Sequence, residues 1–274
     1  MSFTCQNLTV GYDAKPILRD FSYAFRPAQF TALLGANGCG KSTLLKSLAG
    51  QLTSQPDSIL LDETPLHAWS LPERAKRVAY LPQYPELYSD MTVFDLVRYG
   101  RFPHQSLRQQ WQPEDEQAVA EALAQTGLTE LSQRRMRSLS GGQQQRAWIA
   151  MVLAQDAGIL LLDEPINHLD LNHQVEIMDL LVDLRLQGKT LIVVLHDLNL
   201  ASRYADRLVL MKQGALIAEG QASQVLTEAH IFDAYQQPVA VMTDPLYGGP
   251  LVIPKGRHHR PTLHLQAEKR HQTG

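Results

Sequence analysis

The stretch GANGCGKST, from Gly35 to Thr43, constrains this chain more than any other part of it. It follows a short apolar run, FTALLG, and opens a helical pattern that continues from Lys41 to about Gly50. Gly35, Gly40, Lys41 and Ser42 satisfy the spacing G-x-x-x-x-G-K-[ST]. Glycines at these positions let the backbone curl so that successive N–H groups converge on phosphate oxygens, and the helix start adds its positive end. Lys41 supplies a point charge for the β and γ phosphates, and Ser42 a hydroxyl ligand for Mg²⁺. The nucleotide-contacting segment is therefore Gly35, Ala36, Asn37, Gly38, Cys39, Gly40, Lys41, Ser42 and Thr43. An unliganded glycine-rich turn between strand and helix would give the same pattern by chance. It would not call for the run ILLLDE, which ends an apolar strand in Asp163 and Glu164. Asp163 is suited to the Mg²⁺ shell, and Glu164 to polarising a water beside the γ-phosphate. Together the two motifs imply binding of ATP or GTP.

The rest of the chain alternates strand and helix around this loop. FTCQNLTV, ILRDFSYAF and FTALLG are strand patterns, followed by DSILLD, a short helix near LPERAKR, and the strand VAYLPQ. From about residue 84 to 157 strand signals fade, and helical patterns appear at TVFDLVRYG, PEDEQAVAEALAQTG and GGQQQRAWIAMVLAQ. Alternation resumes with GILLLD, an amphipathic helix ending at Gly188, TLIVVLH, and a hairpin turning at Gln213-Gly214. Continuous apolar strands separated by helices imply a parallel sheet covered on both faces, so the expected fold class is α/β with an all-helical insertion. The expected division is a main domain over residues 2–240, its helical part at about 84–157, and an extension over 241–274. The end of that extension carries His258, His259, His264 and His271, whose spacing fits no standard metal site, and a mobile tail is the expectation there.

Bulk properties narrow the setting. A net charge of −3 argues against a general nucleic-acid binder. Two cysteines in 274 residues do not make a disulfide framework and suit a reducing compartment. The first twenty residues lack a signal-peptide pattern, and no apolar run reaches the length of a membrane span. A cytosolic chain whose membrane role comes through a partner is expected. Cys39, inside the glycine loop at a helix start, is expected to have a lowered pKa.

A second small-residue helix start lies about a hundred residues downstream, in SLSGGQQQRAW, Ser138 to Trp148. With the loop and carboxylates it makes the chain resemble the ATP-binding-cassette (ABC) ATPase family, whose signature is LSGGQ. The resemblance covers nearly all of residues 1–240. It implies a RecA-like P-loop core, an N-terminal antiparallel β-subdomain and an inserted helical subdomain. It further implies that two chains pack head to tail, so that Ser140, Gly141, Gly142 and Gln143 of one cap the ATP held by the other. By the same resemblance Tyr12 stacks on adenine, although a turn after Gly11 would also account for a tyrosine there. Gln83 in YLPQ reaches the metal and the attacking water, His196 in VVLHD contacts the γ-phosphate and helps position Glu164, and Asp170 in NHLD sits at the dimer interface. The family more often reads SALD there, so Asn167 and His168 depart from its pattern.

Members of that family drive importers, drive exporters, in which cassette and membrane domain are commonly fused, or act without a membrane in translation or DNA repair. EPINHLD is close to wording habitual among translation factors, but those carry two cassettes in one chain, and DNA-repair members need a long coiled coil that is absent here. A soluble regulator of translation or repair is thus the alternative to a freestanding importer motor. RYGRFPHQ, GGQQQRAWIAMVLAQD and VVLHDLNLASRYADRLVLMKQG look like the ATPases of iron–siderophore, haem and cobalamin importers, siderophore systems above all. The implied partners are a second copy, integral membrane permease subunits and, indirectly, an extracytoplasmic binding protein, with no nucleic acid. The implied place is the cytoplasmic face of the inner membrane. Aromatic and apolar residues in YPELYSDMTVFDLVRYGRF suggest a groove for a permease helix, with part of them serving as local core.

Overall fold

The computed structural model describes residues 1–12, 15–83, 90–105, 111–167 and 169–256. In chain order the first elements are β1 (Phe3–Tyr12), β2 (Lys15–Phe25), β3 (Phe30–Leu34) and α1 (Lys41–Leu48). Then come β4 (Ile59–Leu61), β5 (Thr64–Pro65), α2 (Leu71–Ala75) and β6 (Val78–Leu81). The helical stretch holds α3 (Val93–Tyr99), α4 (Pro113–Gln125) and α5 (Gly141–Ala154). After it lie β7 (Ile159–Asp163), α6 (Leu171–Leu186), β8 (Thr190–Val194), α7 (Leu198–Tyr204), β9 (Arg207–Lys212) and β10 (Ala215–Gly220). The C-terminal part adds α8 (Ala222–Val225), α9 (Glu228–Tyr235), β11 (Val239–Thr243) and β12 (Pro250–Pro254).

The apolar runs form the centre. Their sheet has the order β10-β9-β3-β8-β7-β6, parallel throughout except for the antiparallel edge strand β10. Because side chains alternate along a strand, each run feeds two cores. Leu33, Leu161, Ile192 and Val209 face α1 and the N-terminal strands, whereas Leu34, Leu162, Val193 and Leu210 share a core with α5 and α6. Burial on both faces explains why these strands show no polar alternation. The N-terminal sheet, β2-β1-β4-β5, is antiparallel and closes over α1 with Phe3, Phe21 and Phe25.

The α/β class, the antiparallel N-terminal sheet and the helical stretch all match expectation. Buried bonds from Arg101 tie the helical part together, and Gln155 joins it to the core. Arg101 is 6% exposed and donates from Nε to Asp115 on α4 at 2.8 Å and from Nη1 to the Ala154 carbonyl on α5 at 2.9 Å. Gln155 donates to the carbonyls of Ala75 and Val78, at the start of β6.

The structure adds a hairpin that the sequence reading did not foresee. β11 and β12 pair antiparallel, and the expected boundary at residue 240 falls inside β11. Val252 exchanges two hydrogen bonds with the Asn199 side chain on α7, and Arg203 pairs with Asp244 at 2.9 Å. The four tail histidines, His168 and residues 84–89 of the expected docking groove lie outside the described residues.

Candidate functional site

The parallel strands deliver the predicted residues to one end of the sheet. The glycine loop leaves the carboxyl end of β3, Asp163 ends β7, and Gln83 and His196 each follow a strand end by two residues. Open α/β sheets place ligands outside the carboxyl ends of their strands. Here that end opens into a cleft of about 700 Å³ lined by Tyr12, Ile17, Asn37, Gly38, Gly40, Lys41, Ser42, Thr43, Gln83, Glu164, Asn167 and His196. Gly35, Ala36, Cys39 and Asp163 lie outside that lining, the first three in the loop that carries it and Asp163 beside Ser42.

The loop is built to leave donors free. Gly40 caps α1 in a left-handed conformation with no side-chain cap, and the first turn of α1 has no acidic residue. Its first backbone N–H groups thus meet no side-chain acceptor. Lys41 Nζ donates to the Gly35 carbonyl at 2.7 Å and the Ala36 carbonyl at 3.2 Å, so its charge is held at the loop and directed by it. A neighbouring turn braces the loop, since the Gly214 N–H donates to the Cys39 carbonyl at 2.8 Å. The expected lowering of the Cys39 pKa is corrected: burial pushes the thiol up, although the Lys41 ammonium pulls the other way. At 5% exposure the loss of water outweighs the helix start.

The carboxylates sit behind the loop. Ser42 Oγ donates to Asp163 Oδ1 at 3.0 Å, and burial raises the pKa of Asp163, with the neighbouring Glu164 charge adding to the rise. A hydroxyl and a carboxylate at the floor of a polar cleft are hard oxygen donors, the set that Mg²⁺ takes. Glu164 occupies a left-handed backbone position, φ 55°, that turns its side chain into the cleft lining. Its Oε1 meets His196 Nε2 at 2.5 Å, and its Oε2 accepts from the amides of Gln83 and Asn167. In the sequence Asn167 stands out only as a departure from a pattern, yet it lines the cleft and donates to Glu164. No sequence signal separated it from a turn residue. Tyr12, 45% exposed, stands at the cleft edge beside Ile17.

The second small-residue motif does not join this cleft. Ser140 caps α5 by accepting the Gln143 N–H at 3.3 Å, while Gln143 Oε1 accepts the Ser140 N–H at 3.1 Å. None of Ser140, Gly141, Gly142, Gln143 and Asp170 lines the cleft. The two glycines differ in cause. A Cβ on Gly142 would lie 2.7 Å from the His173 ring, so any side chain there would have to displace that ring. A Cβ on Gly141 would meet nothing within 4 Å. Asp170 caps α6 by accepting the His173 N–H at 3.1 Å, and its carboxylate also meets the His173 ring at 2.6 Å.

Against protein-family models, residues 18–167 match the one described as ABC transporter. The chain belongs to the ABC transporter family. This ABC protein is similar along most of its length to the petrobactin import ATP-binding protein FpuD of Bacillus anthracis. The two are 43% identical over 256 residues, covering 93% of this chain and 94% of the relative. It is also 42% identical over 253 residues to the ferric enterobactin transport ATP-binding protein FepC of Escherichia coli, covering 92% and 93%. Among solved structures it resembles a metal-chelate-type ABC transporter in an inward-facing conformation, with a TM-score of 0.80 at 27% identity, covering 93% of this chain and 97% of the other. The chain is therefore an ATP-binding ABC ATPase, and the cleft is its candidate nucleotide site.

Proposed function

We propose that this chain is the ATP-hydrolysing subunit of an ABC importer that carries an iron–siderophore, or a related haem or cobalamin cargo, across the cytoplasmic membrane. The observation that carries the reading is a cleft that gathers the glycine loop, Glu164 and His196 in a chain similar over nine-tenths of its length to a petrobactin import and a ferric enterobactin transport ATP-binding protein. Among the described residues no helix is long and apolar enough to cross a membrane, and transport would run through permease subunits. The ATPase would sit peripherally at the cytoplasmic face, with residues 2–240 as the cassette and about 84–157 as its permease-facing helical part. Exposed Tyr99 and Phe102 sit in a groove with Met91 and Arg98, which supports that placement.

Each side chain then has a role set by its surroundings. Tyr12 and Ile17 offer an apolar edge to the base. The loop N–H groups and Lys41 take the phosphates, Lys41 exchanging two carbonyls for anionic oxygens. Ser42 and Asp163 would hold Mg²⁺ with help from Gln83, and the ion would supply charge neutralisation at the phosphates. Glu164 accepts the proton of the attacking water. His196, Gln83 and Asn167 fix its carboxylate by three hydrogen bonds, so it enters the reaction already oriented.

Two chains would share two sites, Ser140 to Gly142 of one reaching the γ-phosphate bound by the other. Among the described residues nothing requires glycine at 141, and a close approach from outside would account for it. Mixing tests this: a chain damaged at Ser140 and one damaged at Lys41 together rebuild one intact site. Recovered ATPase is expected on mixing two inactive variants, and none if each chain works alone. Uptake of labelled ferric siderophore, haem and cobalamin by cells lacking this chain tests the cargo.

A further inference from the structure

The structure assigns a positioning role to Tyr235, a residue on α9 that no motif singles out. Its hydroxyl accepts a hydrogen bond from the Gly35 N–H at 2.8 Å, across two hundred residues of sequence. The apolar packing of α9 rests on Ile231 and Ala234, and phenylalanine at 235 would serve it equally well. The hydroxyl is therefore spent on the loop.

Gly35 is where a tether has most effect. Its φ of 141° lies where only glycine is at ease, so contacts rather than local preference set its two peptide planes. The N–H of one plane is held by Tyr235, and the carbonyl of the other accepts Lys41 Nζ at 2.7 Å. Tyr235 thus stands at the far end of a short chain, hydroxyl to Gly35 to ammonium, whose last member meets the phosphates. It is absent from the cleft lining, and it reaches the loop through the Gly35 N–H. We propose that Tyr235 sets the resting position of Lys41, which makes α9 part of the nucleotide-binding machinery. The proposal rests on the cleft being the ATP site.

Tyr235→Phe keeps the ring and removes the hydroxyl. The dissociation constants for MgATP and MgADP are expected to rise together, roughly 2- to 10-fold, the worth of one neutral hydrogen bond. The KM for MgATP should follow while kcat changes less. Arg203→Ala serves as comparator, because it loosens the C-terminal hairpin from α7 without touching Gly35. It should lower thermal stability and leave nucleotide affinity in place. In wild-type protein labelled with ¹⁵N-glycine, the Gly35 amide should resist hydrogen exchange, and in Tyr235→Phe it should exchange faster. Unchanged nucleotide affinity in folded Tyr235→Phe overturns the proposal. So does a Gly35 amide that exchanges in the wild type as an exposed one does, a measurement that needs no variant to fold. Failure of the wild type to bind MgATP would instead overturn the ATP reading of the cleft.

Discussion

Replacing Glu164 by glutamine separates chemistry from binding at this site. The two side chains are nearly isosteric, so the test turns on which donors the replacement can still accept. Glu164 accepts from three directions: His196 on Oε1, and the Gln83 and Asn167 amides on Oε2. The glutamine carbonyl can take the place of Oε2 and keep both amides. Its NH₂ then faces His196 Nε2, which can become an acceptor by moving its proton to Nδ1. The local network survives with one changed tautomer, and folding stability should fall by no more than about 1 kcal/mol.

Catalysis should not survive. An amide cannot take a proton from water, and a positioned general base is worth about 10²- to 10⁴-fold. The rate loss corresponds to roughly 3–5 kcal/mol of barrier. MgATP affinity should stay within a factor of about two, because Glu164 bonds to protein donors and, in the proposed site, the phosphates fall to Lys41 and the loop. Unable to hydrolyse, Glu164→Gln should accumulate as an ATP-bound dimer. Steady-state phosphate release, equilibrium MgATP binding and sizing with and without ATP check these outcomes together. Phosphate release above a tenth of the wild-type rate would remove Glu164 from the role of base. A large loss of MgATP binding would show that its main part is structural.

Other perturbations reach the loop, the helical part and the hairpin. Alkylation of Cys39 should be slow near neutral pH, accelerate as pH rises past the ordinary thiol range of about 8.5, and be suppressed by saturating MgATP. Cys5, whose pKa burial pushes to about 12, should stay unmodified, and peptide mapping by mass spectrometry distinguishes the two. Arg101→Ala leaves the buried Asp115 carboxylate without its cation and should cost about 3–5 kcal/mol in denaturant unfolding. Asp244 has its pKa lowered by the N–H groups of Leu246 and Tyr247 together with Arg203. Its contribution to stability is present above the unfolded value of about 3.9 and is lost as pH falls through the lower folded value. Asp244→Asn should flatten that part of the acid-unfolding curve, measured as thermal midpoint against pH.

How much of this was legible in the sequence depended on whether a residue answers to its neighbours in the chain or to distant ones. The central strands were plain, because burial on both faces leaves an uninterrupted apolar run. The glycine loop, Asp163 and Glu164 were plain because the chemistry fixes their spacing from a strand end, whereas His196 came from the family resemblance alone. Asn167 and Tyr235 were not. Asn167 looks like a turn residue until Glu164 is seen against it, and Tyr235 needs a partner two hundred positions away. The C-terminal hairpin was missed for a related reason. Its strands are five residues each, flanked by prolines, and Val239 and Val252 become core only when α7 and α9 supply the other side.

Cys39 shows a rule applied at the wrong range. A helix start and a nearby lysine do favour thiolate, and both are present. But the Lys41 ammonium is engaged by two carbonyls, and the thiol is shut away from water, so desolvation outweighs the attraction.

The two glycines of the second motif mark where reasoning from one chain ends. A folded chain explains its own glycines in two ways, a positive φ or a neighbour that a Cβ would strike. Gly142 has its neighbour in His173. Gly141 has neither, since its φ is not positive and open space surrounds it. Glycine at the first position of a 14-residue helix weakens that helix and bares its backbone. Among the described residues nothing offsets that cost, and alanine would serve better. The balance changes when an anion from a second chain approaches the start of α5, because there every added methyl stands in its path. Gly141→Ala should therefore leave the isolated chain folded and able to bind MgATP while impairing ATP-driven pairing and turnover. Full turnover in that variant would mean that the start of α5 faces water throughout the cycle.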